Sequence, residues 1–235
     1  MEDFVNTCIT GELNEVKMML AKHSGSFLEP FEINTAFRKS CAEGKFETAK
    51  LLLETFPNID IHHYNEYAFR YACERGHLEI ARWLVSLPSG SSVNVHAEYE
   101  DAFRSACKYG HLEVVKWLLE TFPTIDPYFM TNEGQAFTVC CYRGHLEVAK
   151  ILHQFRVRVS TPIWVLRLTI ESGKTKVADW LLEIWPDLCL DDAVFATVCE
   201  NGHLETAKWF LEKFPQFSPN AWLALKRACG RCKVE

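Results

Sequence analysis

One cysteine position returns along the chain at a nearly fixed interval. Cys8, Cys41, Cys73, Cys107, Cys141, Cys199 and Cys229 follow one another at spacings of 33, 32, 34, 34, 58 and 30, and the 58 is two steps of 29 with Ile170 in the middle slot. A repeat of this length marks a stack of like units, none of which can bury its apolar face without its neighbours. Three residues after each position stands a glycine: Gly11, Gly44, Gly76, Gly110, Gly144, Gly173 and Gly202; only the last unit departs, with Cys232 in that place. A cysteine that isoleucine can replace behaves as a small buried hydrophobe. The column is therefore expected to be core, not a set of bridges or ligands. Met1 is followed by Glu2 and Asp3 and not by a basic, then apolar, leader, so an exported, disulfide-bonded chain is not expected either.

Each unit reads as two short helices. In the third, Phe69, Ala72 and Cys73 have the i, i+3, i+4 spacing of one buried stripe. Gly76 supplies a residue that can take the left-handed conformation at a helix end. His77 to Val85 then forms the second helix, with Leu78, Ala81, Leu84 and Val85 expected inward. Leu87-Pro88 stops it, as do Phe56-Pro57, Phe122-Pro123, Trp185-Pro186 and Phe214-Pro215 in other units. On the second helices Glu47 and Lys50, Glu79 and Arg82, Glu113 and Lys116, Glu147 and Lys150, and Glu205 and Lys208 are opposite charges three residues apart; in the sixth unit Lys176 precedes Asp179, an attraction of reversed order.

The chain has 25 Lys and Arg against 31 Asp and Glu, so a field for non-specific nucleic-acid binding is missing. No apolar run approaches the roughly 20 residues of a membrane span. These features predict a soluble, cytoplasmic chain that binds neither nucleic acid nor membrane.

Four copies of Gly-His-Leu-Glu, at Gly76–Glu79, Gly110–Glu113, Gly144–Glu147 and Gly202–Glu205, resemble the centre of the ankyrin repeat, and the period is similar. The Thr-Pro-Leu-His that opens the ankyrin first helix is replaced here by Ala36-Phe37-Arg38, Ala68-Phe69-Arg70 and Ala102-Phe103-Arg104. With Trp83, Trp117, Trp180 and Trp209 in one column, the units look most like ankyrin-type repeats of large DNA viruses of protists. The resemblance implies an all-α solenoid of about seven helix pairs with a concave binding surface and no enzymatic activity. Units spaced by 32 to 34 leave room for projecting fingers, such as Ile59 to Glu66, whereas later units, spaced by 29 or 30, leave tight turns at Thr161-Pro162 and Ser218-Pro219. A single domain over residues 1–235 is expected, fingered over about 1–154 and finger-poor over about 155–235. Phe155-Arg156-Val157-Arg158-Val159 reads as an irregular turn or a bend in the stack, and the helix from Asn220 to Arg227 as a cap burying Leu225, Ala228 and Trp222.

Catalytic chemistry is thin. Cys229 and Cys232 form a C-x-x-C that could be half a zinc site or a redox pair, but Cys229 already belongs to the repeat column and no second ligand pair lies nearby in sequence. His62 and His63 read as part of a solvated finger, and His77, His111, His145 and His203 as structural hydrogen-bonding groups. No metal, cofactor or catalytic residue is expected. The variable positions of each first helix, two before the repeat cysteine and one and two after it, share the face opposite the packed side. In units three to five they place Tyr71, Arg75, Lys108, Tyr109, Tyr142 and Arg143 there, residue types common at binding hot spots. The function expected is a protein–protein interaction module with a protein partner in this groove. An adaptor or host-directed effector recruiting a substrate to other machinery, or a structural virion component, are the alternatives.

Overall fold

The structure, a computed structural model, describes residues 2–22, 28–88, 92–126, 130–131, 134–155, 159 and 161–217. It divides into two compact units, Met1–Phe129 and Met130–Glu235. The first holds four helix pairs: α1 (Glu2–Thr10) with α2 (Leu13–Lys22), α3 (Pro30–Ala42) with α4 (Phe46–Thr55), α5 (His63–Glu74) with α6 (Leu78–Ser86), and α7 (Ala97–Tyr109) with α8 (Leu112–Thr121). The second holds three: α9 (Ala136–Arg143) with α10 (Leu146–Gln154), α11 (Pro162–Glu171) with α12 (Thr175–Ile184), and α13 (Asp192–Glu200) with α14 (Leu204–Lys213). Seven pairs are what the cysteine register requires, and the fold class is all-α. One short antiparallel hairpin, β1 (Met130–Thr131) with β2 (Gly134–Gln135), precedes α9 and is the only strand pairing among the described residues.

The cysteine column lies in the core of each unit. Cys8, Cys41, Cys73, Cys107, Cys141 and Ile170 have no exposed surface, and Cys199 is buried. Burial pushes the Cys8 thiol up to about 12 and that of Cys41 further, and burial together with the Asp101 carboxylate does the same to Cys73, as expected of thiols with no cation to favour the thiolate. The phenylalanine four residues before the cysteine is equally buried in the middle repeats (Phe37, Phe69, Phe103, Phe137), so each first helix contributes one wide and one narrow core residue per turn. In the first unit α1 packs on α3, α3 on α5 and α5 on α7; in the second, α9 packs on α11 and α11 on α13.

The helix ends follow the sequence signals. Gly76 takes φ +80°, and the next amide, His77 N–H, donates back to the Ala72 carbonyl at 2.8 Å, closing α5 while α6 begins. A Cβ on Gly76 would meet His111 Nδ1 at 2.5 Å, so the glycine also makes room for the histidine of the following repeat. His77 sits likewise against Gly44, and the burial of its ring holds its pKa below the ordinary value, against a hydrogen bond to the Ala42 carbonyl that works in the other direction. Helices α4, α8, α12 and α14 stop at Thr55, Thr121, Ile184 and Lys213, just ahead of the aromatic-proline pairs. Helix α11 begins at Pro162 after Thr161, although the Thr161 side chain makes no capping hydrogen bond.

Second helices are braced to the preceding repeat by the tryptophan column. Trp83 packs 6.1 Å from Phe37, Trp117 6.4 Å from Phe69, and Trp180 6.2 Å from Phe137, each measured between ring centroids. Within α6 the inward residues are Ile80, Ala81 and Leu84; Leu78 and Val85, expected inward, are only half-buried, because the face set by the Trp83 brace turns Ile80 to the core. The pairs Glu47–Lys50, Glu113–Lys116, Glu147–Lys150 and Glu205–Lys208 form, at 2.9 to 3.3 Å. Arg82 instead lies 5.9 Å from the Trp117 ring centroid. The expected Lys176–Asp179 pairing is corrected: Asp179 Oδ1 accepts from Trp209 Nε1 at 3.1 Å and pairs with Lys213 Nζ at 2.7 Å, both on α14 of the next repeat.

The segment ahead of α5 is not the projecting finger that the period implied. Ile59 and Ile61 are buried, and Tyr64, Asn65 and Glu66 form a left-handed turn with φ of 57°, 54° and 62°. These three lie in the first turn of α5, and Glu98, Tyr99 and Glu100 repeat the conformation in the first turn of α7, with φ of 50°, 59° and 63°. Six non-glycine residues in this region are costly, about 1–2 kcal/mol each, and the turns are held by specific bonds. His62 Nδ1 lies 2.8 Å from Glu66 Oε1 and His96 Nδ1 2.7 Å from Glu100 Oε1, with Glu66 and Glu100 buried. Asp60 Oδ1 and Asn94 Oδ1 accept from the amides of His62 and His96. His62 is therefore not the solvated finger residue expected, and His63 is half-buried with an unpartnered Nδ1. The expected cap from Asn220 to Arg227, with Trp222, Leu225 and Ala228, lies outside the described residues, as do Ser218-Pro219, Arg156, Arg158, Cys229 and Cys232.

Candidate binding surface

The arginines of the first two Ala-Phe-Arg triplets, Arg38 and Arg70, reach the repeat that follows, whereas Arg104 stays within its own. Arg38 lays its guanidinium carbon 4.6 Å from the centroid of Tyr64 and 4.7 Å from that of Tyr67. Arg70 Nη1 donates to Asp101 Oδ2 at 2.6 Å, while its Nε donates to the Asn65 carbonyl at 2.7 Å and so caps the left-handed turn of its own repeat. Arg104 donates to Asp101 Oδ1 at 3.3 Å and to the Glu98 carbonyl at 3.4 Å. Tyr67 and Asp101 occupy the same position, one before the alanine, so one ladder carries a cation over an aromatic ring in one step and an ion pair in the next. Tyr67 also stacks on Tyr71, 4.0 Å between centroids at 16°. Burial, with Tyr71 beside it, holds the Tyr67 hydroxyl above its usual range, against the lowering pull of Arg38 and Arg75.

The expected groove residues fall into two groups. In the first unit, Tyr71 is half-buried by its stack on Tyr67, and Arg75, exposed, donates to Glu43 Oε2 of the preceding repeat at 2.5 Å. Lys108 places its ammonium 5.8 Å from the centroid of Tyr109, which is 45% exposed. In the second unit, Arg143 lies 5.9 Å from the Tyr142 centroid, with Tyr142 half-buried and Arg143 exposed. The facing rule behind these assignments needs correction at two of its three positions. Ser105 and Val139, two before the cysteine, are buried, and so is Ala42, one after it. First helices pack side by side, so that flank of each helix meets the next helix and only the position two after the cysteine is consistently exposed: Glu43, Arg75, Tyr109, Arg143 and Asn201, with Ser172 half-buried.

A pocket of about 340 Å³ opens between the start of α3 and the end of α4, lined by Pro30, Ile33, Asn34, Thr55, Phe56, Pro57, Asn58 and Ile59. None of these side chains titrates, so the pocket offers neither acid nor base. Among the described residues no group of three His, Cys, Asp or Glu side chains could hold a metal ion, and no helix is long and apolar enough to cross a membrane.

Two family models match the chain, one described as ankyrin repeats (3 copies) over residues 6–97 and one described as ankyrin repeats (many copies) over residues 103–153. The chain carries ankyrin repeats. No curated protein matches it, and the likeness to repeats of protist viruses stands on the residues alone. The ankyrin matches end at residue 153, while helix pairs of the same kind continue to Lys213. Ankyrin repeats are in general protein–protein interaction modules and typically not enzymes. The Ala-Phe-Arg departure has a structural reason here: Arg38 and Arg70 fasten their repeats to the next, and Arg70 and Arg104 donate to carbonyls of the left-handed turns. The turns themselves had one signal in the sequence, Asp60 and Asn94 each followed by His at +2 and Glu at +6.

Proposed function

We propose that the chain binds a partner protein through the outward face of its first helices, with Tyr71, Arg75, Lys108 and Tyr109 contributing in the first unit and Tyr142 and Arg143 in the second. The observation that carries this reading is Tyr109: a large aromatic side chain, 45% exposed, with the Lys108 ammonium 5.8 Å from its ring centroid. Exposed tyrosine beside a cation is the composition of binding hot spots, and a rigid helix presents it at little entropic cost. The first-helix face of this unit carries Arg38, Lys39, Arg70, Arg75, Arg104 and Lys108 against Glu43, Glu74 and Asp101, so the partner segment that suits it is acidic or aromatic. The longer repeats, about 1–154, do the binding, and the shorter ones, about 155–235, do not take part.

The test is fluorescence anisotropy of an acidic, tyrosine-containing peptide on the full chain and on Tyr109→Ala and Tyr142→Ala. Loss of about 1–2 kcal/mol of affinity for each true hot spot, with unchanged thermal unfolding, is the expected outcome. Unchanged binding in both variants removes the first-helix face as the site.

A further inference from the structure

The segments that join the repeats of the first unit have the opposite charge, although Arg38, Arg70 and Arg104 of the first helices reach them. These segments contain no lysine or arginine from Phe56 to Phe69, from Leu87 to Phe103, or from Thr121 to Phe129. They carry exposed Asp60, Glu98 and Asp126 and two strongly exposed tyrosines, Tyr64 at 55% and Tyr99 at 71%. The connections of the first unit are joined side by side. The Asn94 amide donates to Glu66 Oε1 at 2.9 Å, Asn65 Nδ2 to Glu98 Oε1 at 2.5 Å, and His96 Nε2 lies 3.1 Å from Thr124 Oγ1. Behind these segments the buried carboxylates Glu66 and Glu100, 5% and 7% exposed, each leave Oε2 with no hydrogen-bond partner. The segments also show what they accept: the Tyr64 ring already takes the guanidinium of Arg38 at 4.6 Å.

We propose that the two left-handed turns form a second binding surface that takes a basic, extended peptide segment of a partner protein, with its lysine or arginine side chains on the rings of Tyr64 and Tyr99 and their charge set against Asp60, Glu98 and Asp126. This rests on the reading of the chain as a protein-binding module and gives that module a second, oppositely charged contact. Three consecutive left-handed residues in each turn fix the backbone that presents each tyrosine. Strain of this kind persists where the surroundings over-determine it, and it pre-pays the ordering that a loop would otherwise lose on binding. A row of carboxylates raises the association rate of a cationic segment and makes its affinity fall with salt, while the tyrosine faces supply cation–π attraction.

The experiment uses the full chain and two fluorescein-labelled peptides of about twelve residues, one alternating Arg or Lys with Gly and one alternating Asp or Glu with Gly and Tyr. Two variants separate the terms. Tyr64→Asn with Tyr99→Asn removes both rings and keeps a residue type that tolerates the left-handed region. Asp60→Asn with Glu98→Gln and Asp126→Asn removes three charges and keeps the acceptors, since Asn94 already fills the position equivalent to Asp60. The basic peptide is expected to bind the parent, to weaken roughly 5- to 30-fold in the tyrosine variant, and to lose most of its salt dependence in the charge variant, while binding of the acidic peptide is unaffected. Equal affinity of the basic peptide for the parent and both variants overturns the proposal. If the basic peptide does not bind while the acidic one binds and loses affinity in Tyr109→Ala, this proposal fails alone. If neither peptide binds, the protein-binding reading fails with it.

Discussion

Replacing single glycines by alanine separates two reasons for the glycine column. Gly202 has φ +75° and nothing within 4 Å of an added Cβ, so Gly202→Ala meets only the backbone cost of a left-handed alanine, about 1–2 kcal/mol. Gly76 has φ +80° and a Cβ there would lie 2.5 Å from His111 Nδ1 and 2.9 Å from its Cε1. His111 opens α8 and is half-buried in the stack, so its ring moves only by disturbing the next repeat. Overpacking of this kind adds about 1–3 kcal/mol, which brings Gly76→Ala to about 2–5 kcal/mol. Urea unfolding followed by far-UV circular dichroism reads the difference of about 1–3 kcal/mol as a midpoint shift of about 0.3–3 M, given slopes of about 1–3 kcal/mol/M. Because the two glycines lie in different compact units, the decisive comparison is the cycle of Gly76→Ala, His111→Ala and the double variant. Relief of about 1–3 kcal/mol in the double variant is expected. Additive costs, or a Gly76→Ala no worse than Gly202→Ala, would refute the steric role of the histidine and leave the glycine a purely conformational requirement.

The cysteine column gives a pH prediction: thiols raised in the folded state, to about 12 for Cys8, contribute stability that is complete below the unfolded value near 9 and is lost as pH rises toward the folded one, by about 1.4 kcal/mol per pH unit for each cysteine. Melting temperatures should fall steeply above pH 9 and less steeply in Cys73→Ala; equal slopes would contradict it. Iodoacetamide at pH 8 should label exposed Cys189 in the native chain and spare Cys41, Cys73 and Cys107, as read by mass spectrometry. Trp117→Ala removes a 9% exposed side chain packed edge-on against Phe69 and Phe122 and should cost about 3–5 kcal/mol in the same urea assay, whereas a cost under about 1 kcal/mol would mean that the repeats are not braced there. Arg70→Lys cannot hold both Asp101 and the Asn65 carbonyl and should cost about 1.5–3 kcal/mol; faster amide exchange confined to residues near 64–67 would mark the left-handed turn as the element released.

The helix pairs were legible because each is announced locally. The alternation of a packed stripe, a glycine, a second stripe and an aromatic-proline stop lies within one repeat, and burial of Phe69, Ala72 and Cys73 needs only the 3.6-residue period to be seen. Substituting Ile170 for cysteine identified the column as core before any coordinates. The surface was read less well. Tyr71 is covered by Tyr67, its i, i+4 neighbour on α5, and Arg75 is engaged by Glu43 of the preceding repeat, which nothing within one repeat indicates. The same holds for Lys176 and Asp179, a plausible pair by spacing that loses to Lys213 and Trp209 of the next repeat.

What the sequence by itself determined is therefore the repeat: its length, its two helices, its core positions and the places where helices must stop. These follow from periodicity and from the conformational limits of glycine and proline, which act over a few residues. Only the tertiary structure decided which way Arg38, Arg70 and Arg104 reach, that Glu66 and Glu100 are buried against histidines, and that the segments 64–66 and 98–100 turn left-handed without a glycine. Part of this depends on groups about thirty residues apart brought together by stacking, as Arg70 is with Asp101 and Glu66 with the Asn94 amide. A carboxylate that accepts hydrogen bonds from the next repeat can be buried and can offset the cost of a strained turn, and that balance exists only once the neighbouring repeat is in place.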